Sequence, residues 1–492
     1  MKSFNIILAT CCLGGGALAL TGAEAPAAPG LTLHESDSST IVASGEVLLR
    51  SESWDWFGDS GDAYSFAFQR TRLNLSAKTG NFELFIQPQY VSMWSLPDDA
   101  SPAGKGPSGM GALYYAHNGE DNPDSAGFHQ AWVRLSGLPM EGSVQLGRMT
   151  YASGLEHRRS EDGVKFNALK DMRLGDRLVS SFEWSAFARA FDGIRIDGKL
   201  PGGLPVTLSW FYLTQGGWEK DFNDSMEDVR LASLAITAPK GLILHDAEIG
   251  FFAHNYRDER SCTQRVDNSG ISSGRADIDV TAIGAHLVVI RPMGGKQWDY
   301  LLWGVYETGD WYELDHSAYA VAAETGFQWI QAPMKPWLRV GYFLGSGVDD
   351  PSDGEHNTFF QLIPGTRKYQ LFPYYDLQNN ESFYAQLILA PRKDVKIRID
   401  YALNRLAESA DRWYMGTGAT QKKGNVFGYI GRGSGGDTDL SQEASVMLNY
   451  TYNKHLDINL FYAHVWGGDV IENIYADDKD ADYFSIEATL KF

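Results

Sequence analysis

The chain has 492 residues, a formal net charge of −20, 52 Gly, 25 Phe, 24 Tyr and 14 Trp, but only 18 Pro. Beyond its N-terminus no run of about 18 residues is apolar and uncharged, which excludes a helical membrane protein. The acidity argues against nucleic-acid binding and the few prolines against disorder. Such an aromatic- and glycine-rich chain is typical of a soluble all-β protein or a transmembrane β-barrel.

The N-terminus predicts export from the cytoplasm. Lys2 precedes an apolar run at positions 6–20, and Ala23 or Ala25 offers a small-residue cleavage point. We therefore divide the chain into a signal peptide at 1–23, a polar lead-in at 24–40 and a single barrel domain at 41–492.

After residue 40 the hydrophobic pattern alternates with period 2 to the end of the chain, and no segment of helical period interrupts it. Alternation of this kind predicts strands with one apolar and one polar face. We predict eighteen strands, at 41–50, 63–76, 81–92, 128–135, 143–151, 181–196, 204–214, 229–237, 242–255, 277–290, 298–308, 317–329, 337–345, 381–389, 395–403, 438–452, 456–466 and 482–492.

The predicted connections alternate between short and long. Tight turns at 78–80 and 453–455 contrast with connections at 93–127, 152–180 and 346–380. A soluble sandwich has no reason for this order, whereas an outer-membrane barrel requires it. We therefore predict an all-β protein, a single transmembrane antiparallel up-and-down β-barrel with short periplasmic turns and long extracellular loops. Most of the negative charge falls in those long loops.

The last predicted strand carries a specific signal. Phe484, Ile486, Ala488, Leu490 and Phe492 share one face, and the strand ends on an aromatic residue. This arrangement resembles the signal by which the barrel-assembly machinery recognises its clients. It supports localisation in the bacterial outer membrane.

The alternation also assigns side chains to the lumen. Where Leu73 and Leu75 face lipid, Arg70 and Arg72 face inward, because an Arg in mid-bilayer would cost about 2–4 kcal/mol. The same rule places these basic side chains inside: Arg50, Arg70, Arg72, Arg134, Arg195, Lys396 and Arg398. They could bind the carboxylates of an anionic chain. Alternatively, they pair with inward acids and rigidify the wall; the inward acids are Glu46, Glu83, Asp197 and Asp400.

Several motifs follow one another along the predicted barrel. They are Phe128-His129-Gln130-Ala131-Trp132-Val133, Leu146-Gly147-Arg148, Phe191-Asp192-Gly193-Ile194-Arg195, Gly345-Ser346-Gly347, Asn357-Thr358-Phe359, Leu362-Ile363-Pro364, Arg367-Lys368-Tyr369 and His464-Val465-Trp466-Gly467-Gly468. As an ordered set they resemble the alginate-export family of bacterial outer-membrane porins.

The resemblance implies an eighteen-stranded monomeric barrel that passes a secreted polyuronate through a basic lumen and is fed by a periplasmic scaffold. By motif position, the family's basic constriction corresponds here to Arg148, Arg195, Arg367 and Lys368.

Two features depart from the family pattern. His129 stands where the family commonly has Arg, and Tyr374-Tyr375 occupies a stretch where the alginate exporter proper has a further Arg. Both departures put alginate itself in doubt. In addition, Arg148 shares parity with Leu146, so it enters the lumen only if a bulge at Gly147 turns it; otherwise it lies at the rim.

Two loops allow more than one interpretation. The connection 152–180 contains Arg158, Arg159, Lys165, Lys170, Arg173 and Arg177; it either folds into the pore, which we favour, or lies on the surface. The acidic residues Asp349, Asp350, Asp353 and Glu355 could bind Ca²⁺, but a solvated acidic loop is the simpler interpretation.

No nucleophile elbow, phosphate loop or HExxH motif is present, and we predict neither an enzyme nor a cofactor. Two functions remain: passive export of an anionic exopolysaccharide such as alginate, or general or anion- and oligosaccharide-specific diffusion through the same barrel. The expected partners are outer-membrane lipid and lipopolysaccharide, the anionic polysaccharide, a periplasmic scaffold and the assembly machinery, with no nucleic acid.

Overall fold

The computed structural model describes most of the chain, including both ends of the domain at 41–492. The described residues are 30–58, 63–101, 105–158, 164–175, 177–262, 267, 274–275, 278–363, 365, 371–416 and 429–492. The predicted signal peptide at 1–23 lies outside them.

A sheet of 20 strands contains two short pieces, Leu31–Glu35 and Glu355–His356, and 18 strands that close into a barrel. Each barrel strand pairs antiparallel with its sequence neighbours, and the last pairs with the first. The predicted fold class is therefore confirmed. The strands are β1 (Ser39–Asp55), β2 (Ala63–Thr79), β3 (Phe82–Trp94), β4 (Asp124–Leu138), β5 (Gly142–Met149), β6 (Phe191–Leu200), β7 (Leu204–Thr214), β8 (Ser225–Ala238), β9 (Ala247–Asp258), β10 (Ile278–Met293), β11 (Lys296–Trp311), β12 (Leu314–Trp329), β13 (Trp337–Gly345), β14 (Asn380–Arg392), β15 (Val395–Leu406), β16 (Asp439–Asn453), β17 (Leu456–Gly467) and β18 (Asp480–Lys491).

Most predicted strand ends shift by one to five residues, and two differences are larger. The strand predicted at 181–196 begins only at Phe191, because Phe182 and Ala186 are buried inside the barrel and not paired in its wall. Their apolar spacing reflects packing within the lumen. At the N-terminal side, Leu31–Glu35 in the predicted lead-in forms a short strand that pairs with the start of β1.

The outer face of the barrel wall is apolar, and charged side chains are buried on its inner face, a distribution that a soluble protein does not show. On β2 the Leu73 side chain is 48 % exposed, whereas Arg70 and Arg72 are each 1 % exposed. Exposed apolar residues recur around the barrel on the outward parity of the strands, including Leu208, Phe251, Leu302, Phe383 and Phe484. This pattern is typical of a barrel that crosses a lipid bilayer.

The long connections fold into the barrel from the end that carries the long loops. The helix α1 (Gly109–Asn118) buries Met110 and Leu113, and the helix α2 (Val164–Arg173) buries Phe166 and Leu169. Because these buried side chains are apolar, the long-loop half of the lumen contains an apolar core. None of the helices in the described ranges is long and apolar enough to cross a bilayer. These helices correct the expectation that no helical segment follows residue 40. The first helix lacks a helical hydrophobic period because six consecutive residues, 109–114, are all buried.

The connection between β5 and β6 enters the lumen. For residues 152–180 of this connection, this is the arrangement that we favoured from the sequence. Lys170 of α2 forms an ion pair of 2.7 Å with Glu248 on the inner face of β9. Lys165 donates to Gln297 and Gln328 on β11 and β12. The connection between β13 and β14 also enters, and its Ile363 pairs with Val179 in an isolated parallel bridge. A third helix, α3 (Asp469–Glu472), lies in the last connection.

Candidate transport pathway in the barrel lumen

Several arginines project from the inner wall into the lumen. Arg50, Arg70, Arg72 and Arg398 are each at most 4 % exposed and lie on the inward parity of β1, β2 and β15. Buried ionised groups are normally paired in proteins. The groups that contact these arginines therefore determine what the lumen can bind.

A carboxylate from the β5–β6 connection is held among three basic side chains of the wall. The Nη1 of Arg72 donates to Oε2 of Glu183 at 2.7 Å, and Nε2 of His129 lies 2.7 Å from Oε1 of the same carboxylate. Arg70 donates to the main-chain carbonyls of Glu183 and Ser185 at 2.8 and 2.9 Å. We call Arg70, Arg72, His129 and Glu183 the Glu183 cluster. It fixes the connection against β2 and β4.

Arg50 extends this basic surface along β1. It forms a 2.6 Å ion pair with Glu487 on β18, lies 3.5 Å from Glu52, and donates to the carbonyl of Trp184 at 2.8 Å. Its guanidinium also lies over the rings of Phe68 and Trp184, about 5 Å from each centroid. Arg50 thus joins the closing strands of the barrel to the inward connection.

A β-bulge turns His129 into the lumen. Gln130 pairs with Gln87 and Phe128 pairs with Pro88, so His129 is an extra residue on β4. Because Pro88 has no N–H to donate, the ladder of hydrogen bonds is interrupted there. His129 and Gln130 are consequently both buried on the inner side, whereas strict alternation would place only one of them there.

The Glu183 cluster also fixes the charge of its carboxylate. Burial raises the pKa of the Glu183 carboxyl, but the charge of Arg72 and the hydrogen bond from His129 hold that pKa well below its ordinary range. The carboxylate therefore stays ionised at neutral pH. Its contact with Arg72 is an ion pair, and its contact with His129 is a hydrogen bond to a charged acceptor.

A second carboxylate, Glu324 on β12, contacts three arginines. The Nη2 of Arg339 on β13 lies 2.8 Å from it, Nε of Arg173 lies 3.3 Å away, and Nη2 of Arg177 lies 3.5 Å away. Arg339 also reaches Asp299 at 2.6 Å. We call Glu324 and these three arginines the Glu324 cluster. Two of its cations come from the inward connection and one from the wall.

The inner face of β15 carries two further predicted residues. Arg398 forms a 2.6 Å ion pair with Asp400, which also accepts a hydrogen bond from Gln386 on β14 at 2.7 Å. Lys396 has the same parity one pleat nearer the short turns and is half-buried. These residues extend the charged surface towards the periplasmic end.

Arg134 and Arg195 meet at one carboxylate. Asp197 on β6 lies 3.1 Å from Nη2 of Arg134 and 3.0 Å from Nε of Arg195, and it accepts a 2.7 Å hydrogen bond from Thr207. Arg195 also donates to the carbonyl of Glu156 in the inward connection. Both arginines are thus inside the barrel and paired with an inward acid.

The structure places Arg148 on the outside of the barrel, not in the lumen. The strand pairing shows no shift at Gly147, so Arg148 keeps the parity of the exposed Leu146. Its guanidinium donates to both carboxylate oxygens of Asp192 at 2.7 Å and to Oδ1 of Asn223 at 3.0 Å. The assignment of Arg148 to a constriction is corrected because no bulge turns it inward. Arg367 and Lys368, the other constriction residues of that motif, lie outside the described residues.

The residues that sequence reasoning missed are Arg339, Glu324 and Glu183. Arg339 lies between Leu338 and Val340, which are 44 % and 47 % exposed, so the alternation rule would have assigned it to the lumen. Glu324 has the same signal on β12. For Glu183 no local signal existed, because its segment is an irregular connection that mimics a strand pattern.

The carboxylates of the acidic loop after β13 accept hydrogen bonds from the loop itself. Asp350 accepts hydrogen bonds from the main-chain N and the hydroxyl of Ser352, and Asp353 accepts from the N of Glu355. In the part of the chain that the structure describes, no group of three or more His, Cys, Asp or Glu side chains is arranged to hold a metal ion.

Comparisons with known proteins agree with this geometry. A family model described as "Alginate export" matches residues 99–484, while no curated protein matches the chain significantly. The outer membrane protein OpdK from Pseudomonas aeruginosa is 12 % identical, with a TM-score of 0.54 over 92 % of this chain and 98 % of that one. OccK9 (OpdG) from the same organism is 13 % identical with a TM-score of 0.55, and OccAB2 from Acinetobacter baumannii 11 % with 0.55, over the same shares. At these identities the likeness shows the fold alone.

Proposed function

The chain belongs to the alginate export family, and from that membership we propose that it is a passive conduit for an anionic, alginate-like exopolysaccharide. The protein is an outer-membrane β-barrel channel. The identity of the glycan, the direction of transport and the roles of individual lumen residues are the proposed part.

The observation that carries the proposal is the position of Glu183. Its carboxylate oxygens each lie 2.7 Å from a basic nitrogen of the wall, one on Arg72 and one on His129. A uronate sugar presents the same chemical group. We propose that a uronate carboxylate occupies this position when the connection that carries Glu183 withdraws from the wall.

The Glu324 cluster supports a second position at which a uronate carboxylate could bind. Arg173, Arg177 and Arg339 converge on one carboxylate in an environment with little water. Guanidinium groups recognise carboxylates in a forked geometry, and low-dielectric walls strengthen that attraction. An anionic chain with a carboxylate on every sugar would pass through the lumen as each carboxylate moves from one of these binding positions to the next.

A second candidate, an anion- or oligosaccharide-specific diffusion porin, is favoured by the contents of the lumen. The connections after β5 and β13 fill the long-loop half, which suits a small solute better than a polymer. One porin of similar fold, OpdK, has been solved with vanillate, itself a carboxylate. Uptake of a small carboxylate would use the same arginines.

The remaining assignments are proposals that go with the first function. We propose cleavage of the signal peptide at 1–23, a monomeric barrel, delivery of the glycan by a periplasmic scaffold, and recognition of β18 and its terminal Phe492 by the assembly machinery. We also propose that the protein carries out no catalysis. The lumen residues assigned to transport are Arg50, Arg70, Arg72, Arg134, Arg195, Lys396 and Arg398, together with Arg367 and Lys368 by motif.

Single-channel conductance in planar bilayers with added polyuronate tests the proposal. We expect the polyuronate to block the wild-type current and to lose that effect in Arg70→Ala/Arg72→Ala. The matched control is Arg405→Gln, an outward arginine on β15, which keeps the block. A cation-preferring channel that polyuronate does not block would contradict an anionic substrate.

A further inference from the structure

A row of charged and polar side chains crosses the outside of the barrel near its extracellular end. The row consists of direct register partners, one per strand from β5 to β10: Arg148, Asp192, Tyr212, Arg230, Arg257 and Asp279. All have the parity of exposed apolar residues such as Phe251 on the same strand as Arg257. The row therefore faces the membrane, at the level where the strands leave its apolar layer.

Arg230 and Arg257 lie directly opposite each other on β8 and β9. Like charges across a strand pair repel, and Glu259 relieves the repulsion by binding Arg230 at 2.7 Å and Arg257 at 2.9 Å. These three groups carry a net charge of about +1. Asp279, the register partner of Arg257 on β10, accepts a hydrogen bond from Asn255 at 2.6 Å. The two arginine side chains are 35 % and 47 % exposed, so both can contact a further anion.

An apolar groove of about 360 Å³ begins immediately below these arginines. Ala232 and Ala253 are small residues on the outward parity of β8 and β9, and the larger Leu208, Trp210 and Leu234 stand beside them. Ala232 is two residues from the arginine on its own strand, a separation of about 7 Å. A cationic site and an apolar groove thus adjoin on the lipid-facing wall.

We propose that the outer face of β8 and β9 binds one phosphorylated glycolipid of the outer leaflet, lipid A being the chemical type, with a phosphate on Arg230 and Arg257 and an acyl chain over Ala232 and Ala253. Arginine donates two parallel hydrogen bonds to a phosphate, and an acyl chain covers the apolar floor. The long-loop end faces the leaflet in which such phosphates lie. Beyond β9 the row becomes acidic at Asp279 and Asp310, which confines the site. The proposal does not depend on which solute the channel carries.

Native mass spectrometry of the detergent-solubilised barrel tests this site with lipid A, dephosphorylated lipid A and phosphatidylglycerol as probes. We expect the wild type to retain one lipid A in the presence of EDTA and to bind the other two at least tenfold more weakly. Arg230→Gln/Arg257→Gln should lose at least tenfold in lipid A affinity, while Arg405→Gln binds as the wild type does.

Ala232→Trp fills the groove but leaves both arginines in place. We expect this variant also to lose its retention of lipid A, so the test stays valid if the double arginine variant folds poorly. Heat-modifiable gel mobility and unchanged channel conductance show that each variant is folded. A loss of lipid A binding with unchanged conductance also separates this test from the test of the proposed function. Equal retention by wild type and both variants would overturn the proposal. So would equal binding of phosphatidylglycerol, or retention that requires a divalent cation.

Discussion

Arg72 and Glu183 are 111 positions apart in sequence, yet Nη1 of the arginine lies 2.7 Å from Oε2 of the glutamate. One belongs to the wall and the other to a connection that enters from the extracellular end. Their ion pair is largely shielded from water, where such a contact is stronger than at a surface. This contact attaches an inward connection to the predicted path of the substrate.

Replacement of Glu183 should loosen that connection. In Glu183→Gln the contact with Arg72 and His129 loses its charge, and we expect hydrogen exchange at residues 181–190 to accelerate at least tenfold. The measurement is hydrogen–deuterium exchange by mass spectrometry. Glu141→Gln serves as the control, because Glu141 pairs with Lys199 in an exposed turn. Unchanged exchange in Glu183→Gln would show that the cluster does not hold the connection.

The same segment should resist mild acid. A carboxyl whose pKa is lowered on folding contributes stability above its ordinary pKa and loses it only as the pH falls through the lowered value. The lowered pKa of Glu183 lies well below its ordinary range. In His129→Gln, which removes the neighbouring imidazole that also titrates, exchange at 181–190, corrected for its intrinsic pH dependence, should therefore be equal at pH 7 and pH 5. A marked loss of protection by pH 5 in that variant contradicts the assigned charge state.

The connection after β13 should respond to pH in the opposite sense. Burial raises the pKa of the Asp376 carboxyl to about 6. The folded form thus binds a proton more tightly than the unfolded form, so a fall from pH 7 to pH 5 stabilises it by about 1 kcal/mol. We expect slower corrected exchange at 371–379 at pH 5, and no such change in Asp376→Asn. Slower exchange in both proteins would assign the effect to another group.

Removal of Glu324 should be costly. Glu324→Gln leaves Arg173, Arg177 and Arg339 without that shared charge, and loss of one partner from a buried ion pair typically costs about 3–5 kcal/mol. The free energy of unfolding from urea titration measures the effect. Glu472→Gln is the matched control, since Glu472 pairs with Lys479 at an exposed site and should change it by about 0–1 kcal/mol. Similar values for both variants would refute the structural role of the cluster.

Arg148→Gln should leave transport unchanged. Arg148 binds Asp192 on the outer face at the extracellular rim, away from the lumen. We therefore expect block by polyuronate at the wild-type concentration, in contrast to Arg70→Ala/Arg72→Ala. If Arg148→Gln abolishes the block, the family's constriction includes this position despite its outward parity.

The alternating pattern predicted the barrel because neighbouring residues of a strand must point to opposite sides. For the same reason it placed Arg50, Arg70, Arg72 and Arg398 in the lumen, where the structure has them. Local irregularities could not be read in this way. The bulge that turns His129 inward depends on its pairing with β3, and only Pro88 hinted at it.

The partners of the lumen arginines were harder to predict than the arginines themselves. Glu183 reaches Arg72 through a connection whose path is set by the packing of buried side chains such as Phe182 and Phe187. No local periodicity encodes such a path. The sequence could therefore indicate a basic lumen, but not that a carboxylate of the chain itself is held within it.

The central claim is that the lumen favours an anionic glycan over a neutral one. The most direct measurement is the flux of oligouronate into proteoliposomes, compared with the flux of a neutral oligosaccharide of equal length. We predict faster oligouronate entry in the wild type, and loss of that preference in Arg70→Ala/Arg72→Ala with neutral flux retained. Equal rates for the two sugars in the wild type, or faster entry of the neutral one, would contradict the proposed function.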